Sequence, residues 1–425
     1  MAYNRKQRLN DNIKAIETAF ILDREQRTPT ARERLLLERY CGFGGLKCIL
    51  NPARELADAV HWAKSDLELF APTVELHRLI RENSKNESEY KQLMDSLKQS
   101  VLTAFYTPSA ITEALTDVLK EHQIIPEKVL EPSAGIGAFV DSVLDNNPKA
   151  DIMAFEKDLL TGKILHHLHP EQKVRIEGFE KIEKPFNDYF DLAISNIPFG
   201  DVAVFDPSYT AMKGMRALVT RRIHNYFFVK ALDTVRDGGL VAFITSQGVL
   251  NAKNNSAARF MMLYHADLVS AIRLPNNLFT ENANTEVGSD LIILQKNSQK
   301  ESLRGDDNLL DTVYNDENRI PTNNYFLEHP ERIIHTTAKL DTDPFGKPAM
   351  IYTHEDGVEG IAEDLRKMLH EDFMKNLNLN RYLGIEETKA EEVKEVEETE
   401  KIEKTEKIKP SIEEKQNDTV VSLQK

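Results

Sequence analysis

Cysteine is scarce in the 425 residues: there are two, Cys41 and Cys48, in one segment. That excludes a disulfide framework and a four-cysteine zinc site, and it fits a reducing, cytoplasmic setting. No apolar run approaches membrane-spanning length, and MAYNRKQRLNDNIKAIE shows no apolar core of a secretory signal. An excess of basic charge is also lacking. The formal net charge is −15, but Glu386 to Asp418 alone holds 13 acids against 7 lysines. This stretch alone carries −6 of the −15, so the charge is unevenly spread and leaves room for a local basic groove elsewhere.

What is present is a change of texture along the chain. Residues 1–100 read as a helical region, with a helix over Thr30–Tyr40 expected to stop at Gly42. Residues 101–299 alternate short β-rich runs with helix-length segments. The runs are 128–131, 151–156, 174–177, 191–195, 240–245, 268–272 and 290–294. This alternation implies an α/β, mostly parallel, doubly wound sheet, and the helix-poor link before the last run suits a final antiparallel strand. Residues 300–385 read as a small mixed region containing one amphipathic helix, GVEGIAEDLRKMLHEDFMKNL. Residues 386–425 read as an acidic disordered or single-helix tail.

The first run leads into EPSAGIGAF, residues 131–139. Gly135 and Gly137 allow a tight turn and close ligand approach, but Val140 stands where a dinucleotide fingerprint would have its third glycine. Glu131 ends the first strand beside the crevice such sheets use for ligands. Glu156, ending the second, is placed to accept hydrogen bonds from ribose hydroxyls. The pattern favours an adenosine-bearing ligand without pyrophosphate, S-adenosylmethionine rather than NAD. After the third run, Glu180 could reach an adenine amine and Phe179 could pack its ring. The fourth run ends in SNIPFG, residues 195–200, which presents an amide, a proline-stiffened turn and an aromatic ring in succession.

FYTPSAI (105–111), EPSAGIGAF, FEKD (155–158), GFE (178–180) and SNIPFG resemble, in order, the motifs of N6-adenine-specific DNA methyltransferases of the gamma arrangement. ERYCGFGGL and NNYFLEHPERII resemble the flanks of methylase–helicase proteins of conjugative elements and phages. The resemblance implies a Rossmann-like, class I S-adenosylmethionine-dependent methyltransferase with a seven-stranded sheet. It implies a cofactor site drawn from Tyr106, Thr107, Pro108, Glu131, Pro132, Ala134, Gly135, Gly137, Phe139, Glu156, Phe179 and Glu180. It also implies a catalytic clamp of Asn196, Ile197, Pro198 and Phe199 around an adenine flipped from DNA. The family's usual clamp reads [DNS]-P-P-[YFW], so Ile197 is a departure. Lys213, Arg216, Arg221 and Arg222 follow the clamp and are expected to contact DNA phosphates.

A helicase or other mobile-element protein is an expected partner. An RNA-adenine or protein-glutamine methyltransferase shares the clamp chemistry, and a noncatalytic DNA-binding module could share the fold. His166, His167 and His169 read as part of a surface helix, not as metal ligands.

Overall fold

The computed structural model describes residues 4–385 apart from 104–105, 213, 281–285, 304, 306, 315–318 and 344–345. The expected acidic tail, 386–425, lies outside the described residues.

A seven-stranded sheet forms the centre: β1 (Lys128–Glu131), β2 (Asp151–Phe155), β3 (Lys173–Arg175), β4 (Phe190–Asn196), β5 (Val235–Ser246), β6 (Ala266–Leu274) and β7 (Ser289–Lys296). The order is β3-β2-β1-β4-β5-β7-β6. β1–β5 pair parallel, and β7 lies antiparallel between β5 and β6. Each of the seven runs read from the sequence is a strand. The central strands are apolar on both faces; β4, for example, buries Phe190, Leu192, Ala193, Ile194 and Ser195. Such a strand must be covered by helices on both sides. Strand order reverses between β1 and β4, so the ligand crevice of this architecture opens at the carboxyl ends of those two strands.

The N-terminal helices, including Arg5–Glu25, Phe70–Glu82 and Glu87–Thr103, build a core together with Leu160, Ile164 and Leu168 of helix Leu159–Leu168. Residues up to Leu377 accordingly form one compact unit. Thr30 and Glu33 close a capping box, but the helix they start ends at Leu37; Gly42, at φ +67°, sits in the turn beyond and not at the helix end. The three histidines are not on a free surface helix. His167 and His169 are buried, and His167 Nε2 lies 2.8 Å from Asp23 Oδ1 of the first helix. Among the described residues no group of three or more His, Cys, Asp or Glu could hold a metal ion.

The expected amphipathic helix spans Gly357–Asn376 and buries Val358, Ile361, Leu365, Leu369 and Phe373. It lies against β6 and helix Ser109–Glu121, with Ser270 Oγ donating to Asp372 at 2.7 Å and Arg366 to Asp117 at 2.5 Å. A separate unit begins at Asn378, which caps the short helix Leu379–Leu383. No helix of the described residues is long and apolar enough to cross a membrane.

Candidate active site

The turn after β1 takes its shape from two left-handed glycines, Gly135 at φ +57° and Gly137 at φ +93°. Neither could carry a side chain. A Cβ on Gly135 would lie 2.9 Å from the Tyr106 ring, and one on Gly137 would lie 2.6 Å from His169 Nε2. The turn is held from β2: Ala134 N–H donates to the Phe155 carbonyl and Gly135 N–H to Glu156 Oε2, both at 2.8 Å. Glu156 Oε1 accepts from Asp158 N–H at 2.7 Å. Two backbone bonds leave lone pairs on this half-buried carboxylate that ribose hydroxyls can use.

Burial pushes the Glu156 carboxyl up to about 8, with the neighbouring Asp158 charge adding to the rise and the backbone bonds opposing it. Glu131 is also pushed up to about 8, chiefly by burial at 2 % exposure. It accepts from Ser133 N–H at 3.1 Å and faces the Ser195 hydroxyl of β4, whose Oγ closes no hydrogen bond of good geometry. Two proton-holding acids thus line one crevice, a grouping typical of ligand sites.

Some supports were not visible in the motifs. Asp158 caps helix Leu159–Leu168 through Thr161 N–H at 2.7 Å and accepts from Ser96 Oγ at 2.7 Å. The Thr161 hydroxyl lies 3.4 Å from Tyr106 Oη and 3.3 Å from Tyr40 Oη, linking the glycine turn to the N-terminal helices. Only an Asp after an acid hints at the first of these in the sequence.

The other expected cofactor residues divide. Thr107, Pro132, Ala134 and Phe139 are buried, while Pro108 is half-buried at the start of helix Ser109–Glu121. Phe179, expected to pack against an adenine ring, lies in the core. It is 1 % exposed, with ring centroids 5.3 Å from Phe227 and 5.9 Å from Phe155, so it supplies core beneath the site. Glu180 is half-buried, 3.7 Å from Lys157 Nζ.

Across the crevice, β4 ends in Asn196 and runs on into Ile197, Pro198 and Phe199, the residues expected to form a clamp. Asn196 is the last strand residue, in register with Ile244, and is half-buried. Ile197 is 1 % exposed and its N–H donates to the Ile244 carbonyl at 2.9 Å, which carries the ladder one residue past the strand. Pro198 and Phe199 are half-buried, and the Phe199 ring meets Phe279 edge-on at 6.2 Å. Nearby, Ser195 Oγ, Thr245 Oγ1, Ser289 Oγ and Gln247 Nε2 are buried without a hydrogen-bond partner among the described residues. Unsatisfied buried polar atoms are rare in folded proteins, and their gathering at the ends of β4, β5 and β7 marks this mouth as built for more than packing.

The basic loop needs correction. Arg216 forks onto Asp233 at 2.5 and 2.9 Å. Arg222 donates to Asn254 and Asn255 at 2.8 and 2.9 Å and lies 3.2 Å from Asp201. Both guanidinium groups are partly buried and spend their donors inside the fold, as a desolvated charge must. Arg221 is exposed, and Lys213 lies outside the described residues.

The strand order and the reversed β7 are those of the class I S-adenosylmethionine-dependent methyltransferase fold, whose cofactor is S-adenosylmethionine. The chain belongs to the N-6 DNA Methylase family, whose pattern matches residues 88–391. It is 29% identical over 201 residues to the defense against restriction protein B of Escherichia phage P1, covering 46% of this chain and 8% of that protein. It is 25% identical over 173 residues to the type II methyltransferase M.XamI of Xanthomonas campestris pv. amaranthicola, covering 38% of this chain and 33% of that protein. The chain thus matches a third or less of the length of either relative. A solved structure from Listeria monocytogenes, assigned to the class I S-adenosylmethionine-dependent methyltransferases, has a TM-score of 0.41 and 16% identity over 70% of this chain and 90% of that one.

Proposed function

We propose that the chain transfers a methyl group from S-adenosylmethionine to the N6 amine of an adenine flipped out of DNA. The observation that carries this reading is the juxtaposition across the β1–β4 reversal: a glycine turn and two acids on one side, Asn-Ile-Pro-Phe on the other.

The residues fit the cofactor. Gly135 and Gly137, both left-handed, turn the backbone tightly enough for a ligand to approach it closely, and Glu156 retains acceptor capacity for the ribose. Glu131 and Glu180 would complete the polar wall. Bound there, S-adenosylmethionine supplies an electrophilic methyl group on a sulfonium. The target amine is a poor nucleophile because its lone pair is delocalised into the ring. The Asn196 side-chain oxygen and the Ile197 carbonyl would accept its two hydrogens and turn the lone pair out of the ring plane. Phe199 would hold the base by stacking. The remaining work is orientation, with no covalent enzyme intermediate.

The test is tritium transfer from labelled cofactor to DNA, RNA and protein, followed by long-read mapping of modified adenines. Transfer to DNA with N6-methyladenine at a defined site is expected. Label appearing only in RNA, or only in glutamine of protein, would overturn the DNA assignment.

A further inference from the structure

We propose that Phe205, with Val202 beside it, is the wedge that fills the gap left in the base stack when the target adenine swings out. The proposal rests on the adenine-clamp reading and adds to it a residue that acts on the DNA left behind.

Among the described phenylalanines Phe205 alone stands exposed, at 78%. An isolated exposed apolar side chain needs no explanation. Here the surroundings do. Phe205 lies six residues beyond Phe199, a stretch that spans at most about 20 Å fully extended. Val202, three residues before it, is 59% exposed.

The backbone around this ring is pinned. Val204 N–H donates to the Thr220 carbonyl at 2.8 Å. Asp206 is 3% exposed and accepts from Tyr226 Oη at 2.7 Å and Ser208 N–H at 2.8 Å, with Lys230 Nζ at 3.4 Å. Asp201 is tied to Arg222, and Arg222 in turn to Asn255, which donates to the Gly248 carbonyl at 2.6 Å. The fold therefore fixes residues on both sides of Phe205 and still leaves its ring in solvent, where hydration of an aromatic face is unfavourable.

DNA that has lost a base from its stack offers a complementary site. Unstacking and unpairing a base costs a few kcal/mol, and proteins that distort duplexes insert apolar side chains between base steps to offset such costs. A phenyl ring suits any neighbouring base because every base has a π-face. The inward-turned Arg216 and Arg222 point the same way: their charge braces this segment and is not offered to phosphates.

The test compares wild type, Phe205→Ala and Phe205→Trp in single-turnover methylation of two duplexes bearing the mapped target site. In one the target adenine is paired; in the other it is mispaired and already poorly stacked. Phe205→Ala should slow transfer about 10- to 100-fold on the paired duplex and less than about threefold on the mispaired one, where flipping is cheapest. Phe205→Trp should keep most of the rate. Cofactor affinity and melting temperature should barely move, since the ring is 78% exposed in the free protein. Equal slowing on both duplexes overturns the wedge. So does a wild-type rate for Phe205→Ala, which would reassign the apolar segment to contact with another protein. If wild type itself methylates neither duplex, the clamp reading falls and takes the wedge with it, an outcome distinct from loss in the variant alone.

Discussion

The two sides of the crevice are built by opposite means. On the cofactor side, backbone amides, left-handed glycines and buried acids lock one another, and N-terminal helices brace them through Ser96, Tyr40 and Thr161. On the target side the clamp residues are half-buried, several hydroxyls are unsatisfied, and the following segment exposes apolar side chains from an anchored base. A small ligand of constant shape rewards a preformed cradle. On the proposed reading, a base that leaves a duplex to be held calls for a surface finished only when DNA arrives.

Changes on one side should therefore be separable from changes on the other. The largest effect is expected for Asn196→Ala. Loss of a preorganised polar contact in the transition state is worth about 2.7–4 kcal/mol, a rate decrease of some hundredfold or more. Cofactor affinity measured by calorimetry should hold. A wild-type rate would reduce SNIPFG to a turn.

Glu156→Ala should act in the reverse sense, weakening cofactor binding by roughly 0.5–1.5 kcal/mol for each hydrogen bond to the ribose that is lost. The structure adds a second loss, because the amides of Gly135 and Asp158 also give up their acceptor. Unchanged affinity would remove Glu156 from the site.

Two buried acids on the cofactor side, Glu131 and Glu156, predict a pH effect on stability. Glu131 and Glu156 ordinarily titrate near 4.5, and in the fold both are raised to about 8. Between those values the fold binds protons that the unfolded chain has released, so unfolding free energy falls as pH rises through this window. The stability present below pH 4.5 is lost by pH 9. Thermal melts of the cofactor-free protein should drop from pH 6 to pH 9, and Glu131→Gln should flatten the decline. A melting temperature that rises across this range would contradict the raised values.

The smallest effect is expected at Ile197→Pro. It removes the N–H bond to Ile244, at about 0.5–1.5 kcal/mol, along with some buried side chain, and puts the family's usual residue in place. Melting temperature should fall modestly while the transfer rate stays within a few-fold of wild type. A collapse of the rate would mean that the clamp needs that amide bond itself.

Much of this could be read in advance where a residue's role depends on its chain neighbours. Strand runs, the Gly135–Gly137 turn, the strand-end acids and SNIPFG are local patterns, and the last three fall at the carboxyl ends of β1, β2 and β4. What escaped depends on partners distant in sequence. Asp158 is gripped by Ser96, and Tyr40 reaches the glycine turn through Thr161, partners that no local pattern displays. Arg216 and Arg222 looked like phosphate ligands because a sequence displays charge and not what engages it; here Asp233 and Asp201 pair with it and Asn255 accepts a hydrogen bond. His167 and Phe179 misled for the same reason, since burial is decided by what packs over a helix or turn.

The ladder bond at Ile197 bears on how such clamps are to be searched for. A proline at that position stiffens the chain through its ring and has no N–H to give. Isoleucine keeps the N–H, and the neighbouring strand takes it, so the carbonyl that follows is anchored by the sheet in place of the ring. The requirement is then a fixed acceptor, which two unlike residues can meet by different physics. A pattern search written in letters would discard this chain for lacking the first proline. One written as a constraint, a strand-end residue immobilised by ring or by ladder ahead of Pro-aromatic, would keep it.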